Sequence, residues 1–250
     1  MTRPLIVANW KMNGTVADAR QLASAMKPSL AGIQGVGKVL CPPFTALAAV
    51  SEMLQGTDIG LGAQDMYHED SGAFTGQVSP EMLAEFCNYV ILGHSERRSL
   101  FGETNQSVAR KVSAAKAAGL SPIMCVGETI SERETGMAEA VVDGQVLTGL
   151  AGVSNIDGVS IAYEPVWAIG SGAAASPEDA QSMASRIRQV LSNRFGQPAA
   201  ETPVLYGGSV TDENIPDFMS QPDINGALVG GASLKPDVFV ALTRAAATSV

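Results

Sequence analysis

Two histidines, His68 and His94, and three scattered cysteines, Cys41, Cys87 and Cys125, are all this chain offers for transition-metal binding or disulfides. Their spacing matches no metal-ligand pattern, and an odd, scattered set of cysteines reads as reduced core thiols. No metal site or disulfide framework is therefore expected. Basic residues are also scarce: Lys and Arg number 16 against 25 Asp and Glu, for a net charge of −9. That balance leaves no basic face for nucleic acid. No apolar run approaches the ~18 residues needed to span a bilayer. The first apolar stretch, Leu5 to Ala8, is stopped by Asn9 and is too short for a signal-peptide core. A cytoplasmic protein is expected. If its ligand is an anion, attraction must be local, from one lysine or from backbone N–H groups.

Apolar residues make up 46% of the 250, enough to bury a sizeable core and to exclude disorder. Short apolar runs recur at Leu5–Ala8, Lys38–Cys41, Ile59–Ala63, Tyr89–Leu92, Pro122–Val126, Val159–Tyr163, Pro203–Tyr206 and Gly226–Val229. They read as strands buried on both faces. Between them lie amphipathic stretches that read as helices, among them Val16–Leu30, Asn105–Ala118, Glu134–Leu150 and Pro177–Phe195. Ser176 followed by Pro177 is a cap and first-turn signal for the last of these.

Eight strands alternating with helices form either a doubly wound open sheet or a closed barrel. The polar residues decide between them. Asn9 and Lys11, His94, Glu164, Gly207 and Gly208, and Gly230 and Gly231 follow strands one, four, six, seven and eight. In an open sheet they would be spread over several strand widths, whereas a barrel gathers them at one mouth. The expectation is an α/β protein, a single (β/α)8 barrel over residues 1–250. One connection, Gln64 to Ser79, is long and polar, and such loops are usually functional.

Lys11 stands after strand one, where a compact ammonium would suit a phosphate or a developing oxyanion. His94 follows strand four. Ser95 and Glu96 behind it can open a short helix whose N-terminus would lower the imidazole pKa. Glu96 with Arg97 or Arg98 reads as a surface pair or a buried brace. Gly93-His94-Ser95-Glu96-Arg97 lacks the last glycine of a serine nucleophile elbow. Glu164 ends strand six, where burial would raise its pKa toward that of a general base. Pro165 holds Glu164 extended. The next residues, Val166, Trp167, Ala168, Ile169, Gly170, Ser171, Gly172 and Ala173, combine an apolar tip with glycines and read as a lid. Paired glycines at 207–208 and 230–231 read either as tight turns or as a backbone cradle for phosphate. A base, a neutral electrophile, a cation, a phosphate cradle and a lid are the set needed to abstract a proton beside a carbonyl on a small phosphate ester.

In order along the chain, Asn9-Trp10-Lys11-Met12-Asn13-Gly14, Gly93-His94-Ser95-Glu96-Arg97-Arg98, Ala162-Tyr163-Glu164-Pro165-Val166-Trp167, Tyr206-Gly207-Gly208-Ser209 and Val229-Gly230-Gly231-Ala232-Ser233 resemble the triosephosphate isomerase family. The resemblance spans residues 9 to 234. It implies interconversion of dihydroxyacetone phosphate and glyceraldehyde 3-phosphate through an enediol, in glycolysis and gluconeogenesis, without cofactor or metal. Glu164 would carry the proton between carbons, His94 would polarise the carbonyl, and Lys11 with Asn9 would stabilise the enediolate. Gly170, Ser209, Gly230 and Gly231 would hold the phosphate, with Ser95 and Glu96 in support. It also implies a homodimer in which Phe74, Thr75 and Gly76 enter the partner near Lys11. Departures are Ser171 and Ala173 in the lid, Tyr89 and Val126. Another phosphosugar isomerase or epimerase barrel, or a barrel that only binds, are the competing readings. The first would lack the His94 and Glu164 motifs together, and the second would be expected to have lost Lys11, His94 or Glu164.

Overall fold

The computed structural model describes residues 3–169 and 175–248. Its strands are β1 (Leu5–Asn9), β2 (Gly37–Cys41), β3 (Ile59–Ala63), β4 (Tyr89–Leu92), β5 (Ser121–Val126), β6 (Ser160–Tyr163), β7 (Val204–Tyr206) and β8 (Gly226–Val229). Each pairs in parallel with the next, and β1 pairs with β8, so the sheet is a closed eight-stranded barrel. The expected barrel is the one found. Strand ends predicted from apolar runs fall within one residue of those observed.

Alternation along each strand separates two cores. One side chain set, including Val7, Val39, Ile91, Ile123, Ala162 and Leu205, fills the barrel interior. The alternate set, including Ile6, Leu40, Val90, Met124 and Ile161, packs outward against helices. Both faces are dry, which explains why the strands read as continuous apolar runs.

The helices form because an apolar stripe and a cap coincide. Pro177–Phe195 buries Ala180, Met183, Ala184, Ile187, Val190 and Leu191 on one face. Each large aliphatic side chain so buried contributes roughly 1.5–3 kcal/mol. Ser176 caps the start by accepting the Asp179 N–H. Val16–Gly32 starts from a capping box between Thr15 and Asp18. The expected helix at Glu134–Leu150 is instead two, Ile130–Glu134 and Ala138–Gly149, parted by a turn containing Gly136. A separate capping box at Thr129 and Glu132 starts the first of them.

Because all eight strands run the same way, their C-terminal ends ring one mouth. Gln64 to Ser79 is the expected long loop, closed at its base by the Tyr67 N–H on the Val78 carbonyl at 2.8 Å. The Phe74 ring leans on Tyr67, with ring centres 4.6 Å apart, while Thr75 and Gly76 are exposed at the tip. The three cysteines are free and buried.

Gly226 closes the seam between β8 and β1. Its φ is +146°, and a Cβ there would lie 1.9 Å from the Leu5 carbonyl oxygen. Backbone cannot retreat from backbone without opening the barrel. Gly226→Ala should therefore cost at least ~3 kcal/mol or prevent folding. Urea unfolding reads the loss, and a variant of unchanged midpoint would show that the seam is slack.

Candidate active site

The mouth holds a cavity of about 260 Å³ lined by Asn9, Lys11, His94, Glu164, Ile169, Gly207 to Val210, and Leu228 to Ala232. A larger cavity, about 700 Å³, opens at the opposite end among Leu5, Tyr89 and Ser160. It contains none of the chemistry-bearing residues picked out by sequence, so size is the poorer guide here.

Glu164 follows β6 and is 2% exposed. Its backbone N–H is fixed by the Val126 carbonyl at 2.7 Å. One carboxylate oxygen lies 2.9 Å from His94 Nε2, and the other accepts the Ser95 N–H at 2.8 Å. Gly207 leaves room for this side chain, since a Cβ there would sit 2.8 Å from Glu164 Cγ.

His94 is the N-cap of the helix Ser95–Phe101. Its Nδ1 accepts the Glu96 N–H at 3.2 Å, which assigns the proton to Nε2, pointing at Glu164. Burial disfavours the imidazolium, but the Glu164 carboxylate and Glu96 outweigh it and raise the His94 pKa above its ordinary value. Burial likewise pushes Glu164 up, yet His94, the Ser95 N–H and Lys11 bring it below its ordinary value. These directions reverse the shifts expected from burial and the helix N-terminus alone. In this pair each partner outweighs the other's desolvation.

Lys11 is the one non-glycine with positive φ, 53°, among the described residues. A left-handed backbone there costs on the order of 1 kcal/mol. It is held by Asn9 Oδ1, which accepts the Lys11 N–H at 3.0 Å, and by Gln64 Nε2, which donates to the Lys11 carbonyl at 2.9 Å. The ammonium lies 2.6 Å from Glu96 Oε1. Glu96 is thus neither the surface partner nor the buried brace of an arginine, because the Lys11 side chain reaches it first. Gly230 permits the lysine to cross the mouth, since a Cβ there would be 3.2 Å from Lys11 Cε.

Gly230 precedes the 3-10 segment Gly231–Leu234. The first N–H groups of such a turn have no partner inside it. Ser209 Oγ donates to the Ala168 carbonyl at 3.1 Å, joining the loop after β7 to the stem of the segment read as a lid. Pro165 leads into the 3-10 turn Val166–Ala168, and Ile169 lines the cavity. Gly170, Ser171, Gly172 and Ala173 lie outside the described residues.

Three supporting residues, Glu128, Arg133 and Gln64, carry roles that the sequence did not assign. Glu128 is fully buried after β5 and accepts from Tyr163 Oη at 3.0 Å and Trp167 Nε1 at 2.7 Å. Arg133 stacks 4.5 Å above the Trp167 ring, so the stem is gripped from two sides. The signal was available: Val126-Gly127-Glu128 is a carboxylate after an apolar strand, the pattern that singled out Glu164. Gln64 carried no such signal.

Removing the carboxylate while leaving the burial should lower the imidazole pKa. Glu164→Gln is expected to bring the His94 titration, followed by NMR of the ring protons, below its wild-type midpoint. A midpoint that stays or rises would mean the carboxylate does not set the charge of His94.

The sequence model of the family described as "Triosephosphate isomerase" matches residues 4–246. A triosephosphate isomerase of Symbiobacterium thermophilum is 53% identical over 251 residues, covering 99% of this chain and 98% of that protein. One from Carboxydothermus hydrogenoformans is 51% identical over 98% and 99% respectively, and one from Dehalococcoides mccartyi 49% over 99% and 98%. With a family match across nearly its whole length and relatives at about half identity, this chain belongs to the triosephosphate isomerase family.

Proposed function

We propose that this protein interconverts dihydroxyacetone phosphate and D-glyceraldehyde 3-phosphate, a step of glycolysis and gluconeogenesis, with Glu164 as the base. The observation that carries the residue assignment is the buried Glu164–His94 pair facing a small cavity bordered by glycines and one ammonium. The carboxylate leaves Ser95 and takes a proton from the carbon beside the carbonyl. The electron pair moves into a carbon–carbon double bond, and charge develops on the carbonyl oxygen. His94, neutral with its proton on Nε2, donates to that oxygen, and Lys11 with Asn9 stabilises the remaining charge. His94 then recovers a proton from the hydroxyl on the adjacent carbon. As that oxygen becomes the new carbonyl, Glu164 returns its proton to the former carbonyl carbon, so the charges balance and the phosphate ester stays intact.

The phosphate would be held by N–H groups of Gly170, Ser209, Gly230 and Gly231. This suits an acidic chain, because backbone dipoles concentrate positive potential without adding basic side chains. The segment from Pro165 to Ala173 would close as a lid. Water exclusion strengthens the electrostatics and protects the enediolate from losing phosphate. Its supports are the Trp167–Glu128 bond, the Ser209–Ala168 bond, and Ile169 facing the cavity.

A homodimer belongs to the same proposal. Met12, Leu100 and Phe101 are exposed, and Phe74 stands 39% exposed on the long loop. The Lys11–Glu96 ion pair ties the Met12 segment to the helix carrying Leu100 and Phe101, and Arg97–Asp65 ties that helix to the base of the loop carrying Phe74. Such a patch suits a second copy of the chain. The buried free thiols suit a cytoplasmic setting. No helix of the described residues is long and apolar enough to cross a membrane.

A coupled assay with glyceraldehyde 3-phosphate tests the chemistry. Glu164→Gln should lower kcat by roughly three decades, about 4 kcal/mol, with binding of a phosphate analogue kept. A variant within tenfold of wild type would sink the assignment. In the same assay, deleting Ile169–Ala173 should release inorganic phosphate and methylglyoxal, whereas clean isomerisation would mean the segment is no lid.

Sedimentation should give about 52 kDa, twice the 25.8 kDa chain. Charged replacements of Phe74, Thr75 and Gly76 should yield monomers of low activity. A fully active wild-type monomer would contradict the dimer.

A further inference from the structure

Arg97 and Arg98 stand side by side and do different things. Arg97 Nη2 lies 2.9 Å from Asp65 Oδ2, an ion pair to the base of the long loop. Arg98 has no carboxylate within ion-pair distance among the described residues. Its half-buried guanidinium meets three neutral oxygens instead. Nε donates to the Gly93 carbonyl at 2.7 Å, Nη1 to Asn105 Oδ1 at 2.6 Å, and Nη2 to the Cys125 carbonyl at 3.0 Å. Withdrawing a cation from water without an opposite charge is costly, so three ordered bonds must be offsetting that cost.

The placement of those oxygens is informative. Strand β4 stops pairing with β5 at Leu92 and Met124, because Gly93 turns away with φ +71°. Successive carbonyls along a strand face opposite neighbours. Val126 faces β6 and accepts the Glu164 N–H, so Cys125 faces the place that β4 has vacated. Arg98 fills that place. The same guanidinium takes the Gly93 carbonyl, on the peptide that leads directly into His94. A Cβ on Gly93 would lie 2.9 Å from Nη2, so the turn and the guanidinium are fitted to each other.

The geometry points to Arg98 as a positioning residue for the isomerisation: one guanidinium ties the turn carrying His94 to the strand that anchors Glu164, and so sets the separation of proton donor and base. Ser95 follows within the same turn, and its N–H holds the second oxygen of Glu164. The phosphate cradle proposed above comes from the loops after β7 and β8, which Arg98 does not touch. Its loss should therefore misalign the chemistry and leave substrate binding nearly intact. This role rests on the isomerase reading with Glu164 and His94 in their proposed parts.

The test uses the purified full-length chain and glyceraldehyde 3-phosphate. Arg98→Met keeps the length and removes every donor. It should lower kcat by about 100-fold with KM within about threefold, the scale expected for misalignment of roughly 1 Å. Arg98→Lys restores a cation but cannot span both carbonyls. It should recover much of the melting temperature yet remain at least ~10-fold below wild type in kcat. A merely structural role would make activity follow stability. Should Arg98→Met not fold, Asn105→Ala removes only the Nη1 anchor and should lower kcat about three- to tenfold at unchanged KM. Folded variants with kcat within threefold of wild type for Arg98→Lys, or unchanged kcat in Asn105→Ala, would overturn the role. A wild-type chain that does not isomerise would overturn the proposed function as well. An active wild type beside active variants removes the positioning role alone.

Discussion

A carboxylate almost wholly withdrawn from water costs several kcal/mol unless its surroundings replace the lost hydration. Glu164 imposes that constraint on the whole mouth of the barrel. His94 and the Ser95 N–H engage its two oxygens, and the absent side chain of Gly207 makes space beside it. His94 and Ser95 follow β4, Glu164 itself follows β6, and Gly207 follows β7. Closure of the sheet brings the ends of β4, β6 and β7 together, so barrel closure and the buried carboxylate are one problem. Compensation by polar partners, unlike compensation by burial among apolar groups, leaves the carboxylate ionised and able to accept a proton.

Electrostatic economy shapes the rest of the site. The chain carries a net charge of −9, yet its proposed ligand is an anion. The mouth meets that conflict with one ammonium and a set of backbone N–H groups. The ammonium is held in place at a cost: Lys11 is kept in a left-handed conformation by the side chains of Asn9 and Gln64. Strain that persists at such a position must be over-determined by its neighbours, and two independent hydrogen bonds to one residue's backbone supply that. Glu96 shares the charge, which spares the lysine from facing the cavity unpaired.

Local pattern was sufficient for much of the architecture because the strands are dry on both sides. Continuous apolar runs bounded by polar residues can then be read directly, and all eight were placed within a residue. Helix limits were legible where a cap coincided with a stripe, as at Ser176–Pro177, and misread where a capping box at Thr129 opened a short helix ahead of the one expected from Glu134. The site was legible for the same reason as the strands: a charged or imidazole side chain is conspicuous at the end of an apolar run. Glu128 met that criterion and was overlooked.

Residue identities along the chain thus determined the parallel eight-strand plan, the places of Glu164, His94 and Lys11 at strand ends, and the two glycine pairs. They did so through short-range rules, namely periodicity, capping and the cost of polar groups next to apolar runs. Which partner each charge takes was decided only by the tertiary structure. Lys11 reaches Glu96 across 85 positions of sequence, Glu128 grips Trp167 across 39, and Arg98 bridges Gly93 and Cys125. The directions in which His94 and Glu164 titrate were reversed by the same contact between strand ends. Electrostatic energy depends on separation in space, and neither spacing along the chain nor composition contains that separation until the barrel closes.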